Sequence, residues 1–173
     1  MLSPTFPHPD PNGSGTSRAT WTTSRTPEAP RLFHPHQGSI QRNIIAFYSG
    51  GALKDDMKVY GEQAIYDDPF SYCDTRCKIA GQWQGVPKLF AKSETLATEI
   101  TSSTEHELVW KAAAESANSL ISLTLEGNEP NEKVVYHKDI WNSRDCSHDG
   151  LEARIKKLNG DRLTNITRPS RSV

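Results

Sequence analysis

Tyr66, Asp68, His137, Asp139 and Trp141 are the residues whose types and spacing could do chemistry, were the faces of their two strands to meet. Tyr66 and Asp68 close a short apolar run, Ala64-Ile65-Tyr66, and side chains two apart in a strand share a face. His137, Asp139 and Trp141 alternate in the same way along Lys133–Trp141, opposite Val134, Tyr136, Lys138 and Ile140. Two carboxylates bordering one apolar pocket separate in proton affinity, one ionised as a base and one kept protonated as a donor. An imidazole at His137 titrates near neutral pH and would relay a proton between them. The same residues also fit a structural role. Asp68 precedes Pro69, and such pairs are common corner chemistry, while Asp139 could pair with a lysine or arginine and order the sheet.

Other clusters carry less. Cys73, Cys77, Cys146 and His148 are zinc-ligand types, but three and one intervening residues fall outside the usual ligand spacing, so no metal is expected. Trp83, Trp110 and Trp141, with Tyr66 and Phe90, read as core or as the wall of a ligand pocket. Arg144, Arg154, Lys156, Lys157, Arg162, Arg168 and Arg171 make a basic end that reads as a solvated face, with a weak phosphate site as the alternative. No glycine-rich phosphate loop, nucleophile elbow or dinucleotide fingerprint is present, so any chemistry is expected to be cofactor-free.

The elements that must position these residues follow from pattern. Residues 1–37 hold seven of the eleven prolines and read as a disordered tail. Ile40, Ile44, Phe47 and Tyr48 recur at helical spacing up to Gly50-Gly51, and Leu53, Met57 and Tyr60 predict a second helix. Ala64–Tyr66 enters the Asp67-Asp68-Pro69 corner as a strand, because Pro69 biases Asp68 to extended backbone. Ser71–Ala80 reads as a polar strand, and Gly81 and Gly85 as a turn around Trp83. Val86, Leu89, Phe90, Ser93, Ala97 and Ile100 form the face of a helix opened by Pro87. Glu107–Ala114, Ser119–Leu125 and Lys133–Trp141 are then strands. Leu151, Ile155 and Leu158 predict a short helix ending at Asn159-Gly160, with residues from 164 frayed. The order is α+β, with a folded domain over 38–163.

A net charge of -1 gives no global field for nucleic acid or an anionic membrane. No run approaches the length of a membrane span. The start lacks the apolar core of a secretory signal, which favours a cytoplasmic protein; Arg18, Arg25 and Arg31 make a weaker case for organellar import.

The segments AIYDDPF, GQWQGVPKLF and VVYHKDIWN together resemble the SnoaL-like branch of the nuclear-transport-factor-2-like superfamily over roughly residues 40–142. That resemblance implies a cone of strongly curved antiparallel sheet wrapped around about three helices, with a pocket inside and often a dimer through the open sheet face. It also implies Asp68 as carboxylate base and Asp139 as the buried acid that donates to a developing oxyanion. His137 is not part of that pattern, and neither Tyr48 nor Tyr60 falls in clear register with the helical tyrosine of such a site. The extension from Asn142 to Val173 departs from the usual final strand. The expectation is a small-molecule-binding or oligomerising domain that takes a small apolar or aromatic ligand. The alternatives are a cofactor-free isomerase or dehydratase using the pocket carboxylates, and a protein adaptor working through the open sheet face.

Overall fold

The computed structural model describes residues 34–50, 56–89, 95–114, 118–144 and 150–167, all within one compact unit, Arg31–Val173. The proline-rich stretch up to residue 33 lies outside them. So do Phe90, Cys146, His148, Arg168 and Arg171.

Helix α1 spans Pro35–Tyr48, beginning three residues inside the expected tail, because Pro35 sits where a first helical turn needs no backbone donor. Ile40, Ile44 and Phe47 are its buried stripe. Gly50, with φ of 78°, ends it by donating from its N–H to the Phe47 carbonyl at 3.0 Å.

The second predicted helix is replaced by a single 3-10 turn, Asp56–Val59, and by strand β1, Tyr60–Asp67. Met57 is buried in the turn, whereas Tyr60 opens the strand. Leu53 lies outside the described residues.

The segment after the corner also differs from expectation. Strand β2 holds only Tyr72–Cys73, and Arg76–Leu89 forms helix α2. Gly81 and Gly85 therefore lie inside a helix and not in a turn. Their lack of a side chain serves packing against helix α3, Gly150–Thr167. A Cβ on Gly81 would stand 2.8 Å from the Thr164 Cα, and one on Gly85 would stand 3.2 Å from Leu163 Cδ2. Ala97 and Ile100, expected on the following helix, belong to strand β3, Thr95–Ser103.

The later strands fall close to the predicted spans: β4 is Glu107–Ala114, β5 Asn118–Glu126 and β6 Lys133–Trp141. Helix α3 runs through Asn159-Gly160 and on to Thr167, beyond the expected stop and into the expected frayed end. Gly160 is no terminator. It lies directly on the Tyr72 carbonyl, leaving no room for a Cβ. Leu151, Ile155 and Leu158 face outward, and the buried side of α3 is instead set by Lys156 and Gly160.

The six strands form one curved, unclosed sheet in the order β2-β1-β6-β5-β4-β3. Every pairing is antiparallel except β1 with β6. Side chains alternate between its faces. On the inner face Leu108, Leu123, His137, Tyr66 and Cys73 lie in one row across five strands, and all are buried. Trp110, Ile121 and Asp139 form the next row. Phe47 of α1 and Ile79 and Trp83 of α2 fill the concave side. Asp67, Tyr72 and Lys138 share the outer face. This is the α+β architecture that the sequence implied.

Candidate functional site

Strand parity sends the two neighbouring aspartates of the corner to opposite sides of the sheet. Asp67 points outward to Lys138, at 2.8 Å, and to Lys156 of α3. Burial alone would raise its pKa, but the two ammonium groups outweigh that and hold it below the usual carboxylate range. Asp68 turns inward. Its Oδ1 accepts from the backbone N–H groups of Phe70 and Ser71, both at 2.6 Å, and from the Ser71 hydroxyl at 3.1 Å. Its Oδ2 accepts from the Tyr66 hydroxyl at 2.9 Å. Burial nonetheless keeps the Asp68 pKa raised against these bonds. Asp68 thus fastens the corner while bordering the interior.

The interior holds a chain of hydrogen bonds. Tyr48, on the last turn of α1, donates its hydroxyl proton to Asp139 Oδ2 at 2.6 Å. The Tyr48 oxygen lies 3.3 Å from His137 Nε2, and Tyr60 lies 2.7 Å from His137 Nδ1. Because Tyr48 gives its only proton to Asp139, it can take part in the His137 contact only as an acceptor. This assigns the His137 proton to Nε2, leaving Nδ1 to accept from Tyr60. The chain then runs one way, Tyr60 to His137 to Tyr48 to Asp139, each bond polarising the next.

Burial pushes the His137 pKa down to about 3, so the ring is neutral at physiological pH. The charge change expected of His137 near neutrality is therefore absent, because no carboxylate touches the imidazole to offset its desolvation. Asp139 is pushed up to about 6, chiefly by burial and also by the nearby charge of Asp68. Tyr48, Trp141 and Ser119 pull it back only in part. Tyr48 and Tyr66 are raised well above the usual phenol range, first by burial and then by the carboxylates beside them, and both stay protonated.

One carboxylate oxygen is left over. Asp139 Oδ1 is buried and makes no hydrogen bond of normal geometry with any described residue. The indole nitrogens of Trp83, Trp110 and Trp141 are likewise buried and without a bond of that geometry, although Trp83 approaches the Tyr60 hydroxyl and Trp141 approaches Asp139 closely enough to lower their pKa values. Trp83 stands on α2 with its ring edge-on to Tyr48 at 4.8 Å and tilted against Tyr66 at 5.2 Å. Trp110 lies across Ile121 from Asp139. Trp141, half-buried at the end of β6, meets the exposed Phe70 ring at 5.2 Å.

Tyr66, Asp68, His137, Asp139, Trp83 and Trp110 thus converge on the inner side, with Trp141 at its edge. Tyr48 and Tyr60 join this site, although neither could be set in register with a helical tyrosine from the residue pattern. An aromatic residue on a helical stripe signals core packing, and its hydroxyl leaves no periodic signature. Asp139 has a tyrosine where the structural reading placed a lysine or arginine; it is Asp67 that takes the lysines. Among the described residues no group of His, Cys, Asp and Glu is arranged to hold a metal ion. Cys73 is buried on β2, its thiol pushed up to about 12 by burial, and Cys77 lies on α2; both are free thiols.

The fold is similar to that of NTF2-like proteins of solved structure. An NTF2-like protein from Anabaena variabilis superposes with a TM-score of 0.53 at 10% identity, over 63% of this chain and 88% of its own. A protein from Sphaerobacter thermophilus superposes at 0.50 with 12% identity, over 61% and 94% of the two chains. A SnoaL-like family protein from Agrobacterium tumefaciens gives 0.49 at 13% identity, over 63% and 99%. No protein-family model matches the sequence. No curated protein matches it significantly. No helix among the described residues is long and apolar enough to cross a membrane.

Proposed function

We propose that this is a small-molecule-binding domain whose inner side recognises an apolar or aromatic ligand through a hydroxyl group, with Asp139 as acceptor. The buried Oδ1 of Asp139, which has no hydrogen bond of normal geometry and only the looser approach of Trp141 and Ser119, carries this reading. A desolvated carboxylate oxygen without a donor costs free energy until one arrives, and a ligand hydroxyl in the same apolar surroundings supplies it. Tyr48 fixes the carboxylate from behind, and Tyr66, Trp83, Trp110 and Trp141 supply aromatic surface for a ring.

A second reading follows from the proton affinity of Asp139. A carboxylate titrating at about 6 is well placed to remove a proton near neutral pH. In a cofactor-free isomerisation Asp139 would then be the base, and Asp68, with both oxygens engaged, would hold the corner beside it. This exchanges the roles implied by the family resemblance.

The test is a titration of the protein with substituted phenols, followed by tryptophan fluorescence, for the wild type and for Asp139→Asn. Loss of a hydrogen bond to a charged acceptor is expected to weaken binding by at least about tenfold. Equal affinity of the two proteins would refute the assignment. Turnover of a β,γ-unsaturated ketone lost in Asp139→Asn and retained in Asp68→Asn would promote the catalytic reading.

A further inference from the structure

We infer a second binding site, for a small aromatic anion such as an aryl phosphate, on the outer side of the sheet under helix α3. A cleft of about 430 Å³ opens there, lined by Tyr72 of β2, Tyr136 of β6, and Ala153, Lys156 and Lys157 of α3. It lies on the face of β1 and β6 opposite the Asp139 chain, since Tyr136 and Asp67 alternate with His137 and Tyr66.

Three observations define what it would take. Lys156 is nearly buried, with 4% of its surface exposed. Its one described hydrogen bond goes to Asp67 Oδ1. An ammonium group has three donors, so two remain that an anion in the cleft could engage. Lys157, on the same wall, is more than half exposed, and its one ion pair among the described residues is with Asp74 at 3.6 Å, a distance and exposure at which the pair is easily exchanged for a stronger one. A phosphate or carboxylate seated between the two lysines would satisfy the buried ammonium and recruit the exposed one. The two tyrosines supply flat apolar surface beside that anion, which is why an aromatic ester fits better than a bare ion. Tyr136 is steadied through its hydroxyl, 3.3 Å from Asp67. Ala153 leaves the space for the ring.

This reading is independent of Asp139, and its experiment separates the two. The full chain is titrated by calorimetry with phenyl phosphate, inorganic phosphate and benzyl alcohol at low salt. Phenyl phosphate is expected to bind several-fold more tightly than phosphate, benzyl alcohol to show no lysine-dependent binding, and affinity to fall as salt is raised. Ala153→Trp fills the cleft without altering charge and is expected to abolish binding. Lys157→Gln should weaken it several-fold, and Lys156→Met should remove it. Asp139→Asn should leave it unchanged. No heat with phenyl phosphate at millimolar concentration would overturn the inference. So would an affinity that Ala153→Trp and Lys157→Gln leave intact, which keeps the test decisive even if Lys156→Met fails to fold.

Discussion

Replacing Tyr48 by Phe removes one oxygen and keeps the ring, so the edge contact with Trp83 survives and the loss is confined to hydrogen bonding. The wild-type hydroxyl donates to Asp139 Oδ2 at 2.6 Å. A bond of this kind to an ionised carboxylate contributes about 1.5–3 kcal/mol, and to a neutral one about 0.5–1.5 kcal/mol. The difference, about 1.4 kcal/mol, corresponds to roughly one pH unit in the pKa of Asp139. Tyr48 favours the charged form, so Tyr48→Phe raises that pKa further above about 6. A carboxylate whose folded pKa is raised contributes stability that is complete below its unfolded pKa and is lost as pH rises through the folded value. The variant should therefore lose about 1 kcal/mol relative to wild type at pH 5, where Asp139 is largely protonated, and about 2.5 kcal/mol at pH 8. Urea unfolding of both proteins at the two pH values reads this directly as a shift in midpoint at constant slope. Equal losses at pH 5 and pH 8, or a larger loss at pH 5, would show that Tyr48 does not bond an ionisable Asp139.

Other perturbations test the frame that holds the site. Gly160→Ala places a methyl group against the Tyr72 carbonyl, and chemical denaturation should show a loss of at least about 2 kcal/mol, because backbone cannot yield as a side chain can. Trp83→Ala empties the centre of the concave side and should cost about 3–5 kcal/mol in the same assay. His137 is neutral when folded, with a pKa near 3, against about 6.5 unfolded. This depressed pKa makes its contribution complete above the unfolded value and lost as pH falls towards the folded one, about 2 kcal/mol by pH 5. A His137→Gln variant, whatever its absolute stability, should lack that acid-limb slope in a pH series of melts.

Strands β4, β5 and β6 were legible because each alternates in polarity and is bounded by turn residues. Parity along them placed His137 and Asp139 together on one face without any structure. Parity also explains why the corner could be read two ways: adjacent aspartates must diverge, and the residue pattern does not say which neighbour waits on each side. Of the two lysines that meet Asp67, Lys156 comes from a helix distant in sequence, so no local pattern could pair them.

The errors have a common physical origin. Gly81, Gly85 and Gly160 look like punctuation in a single sequence, yet each makes room for another segment of backbone or side chain. A glycine required by close packing between elements carries the same letter as one required by a turn. Helix α2 was consequently read as strand and turn, and α3 was cut short. The outward-facing Leu151, Ile155 and Leu158 compounded the second error. Their spacing marked a helix correctly but pointed to the wrong buried side, because the side that packs is chosen by the lysine that reaches Asp67 and by the glycine that lets the helix approach. Tyr48 could not be put in register for a different reason: its role depends on how α1 packs on the sheet, which tertiary contacts decide.

On this reading Asp139 offers a ligand in the interior an ionisable oxygen that lacks a well-aligned donor. This is tested most directly by following the side-chain carboxyl carbon of Asp139 by NMR through a pH titration, with and without a saturating phenol. The free protein is expected to titrate near 6, and the bound protein at a clearly lower pH, because a donated ligand hydroxyl favours the ionised form. A midpoint near that of an exposed aspartate, unmoved by the phenol, would contradict the account.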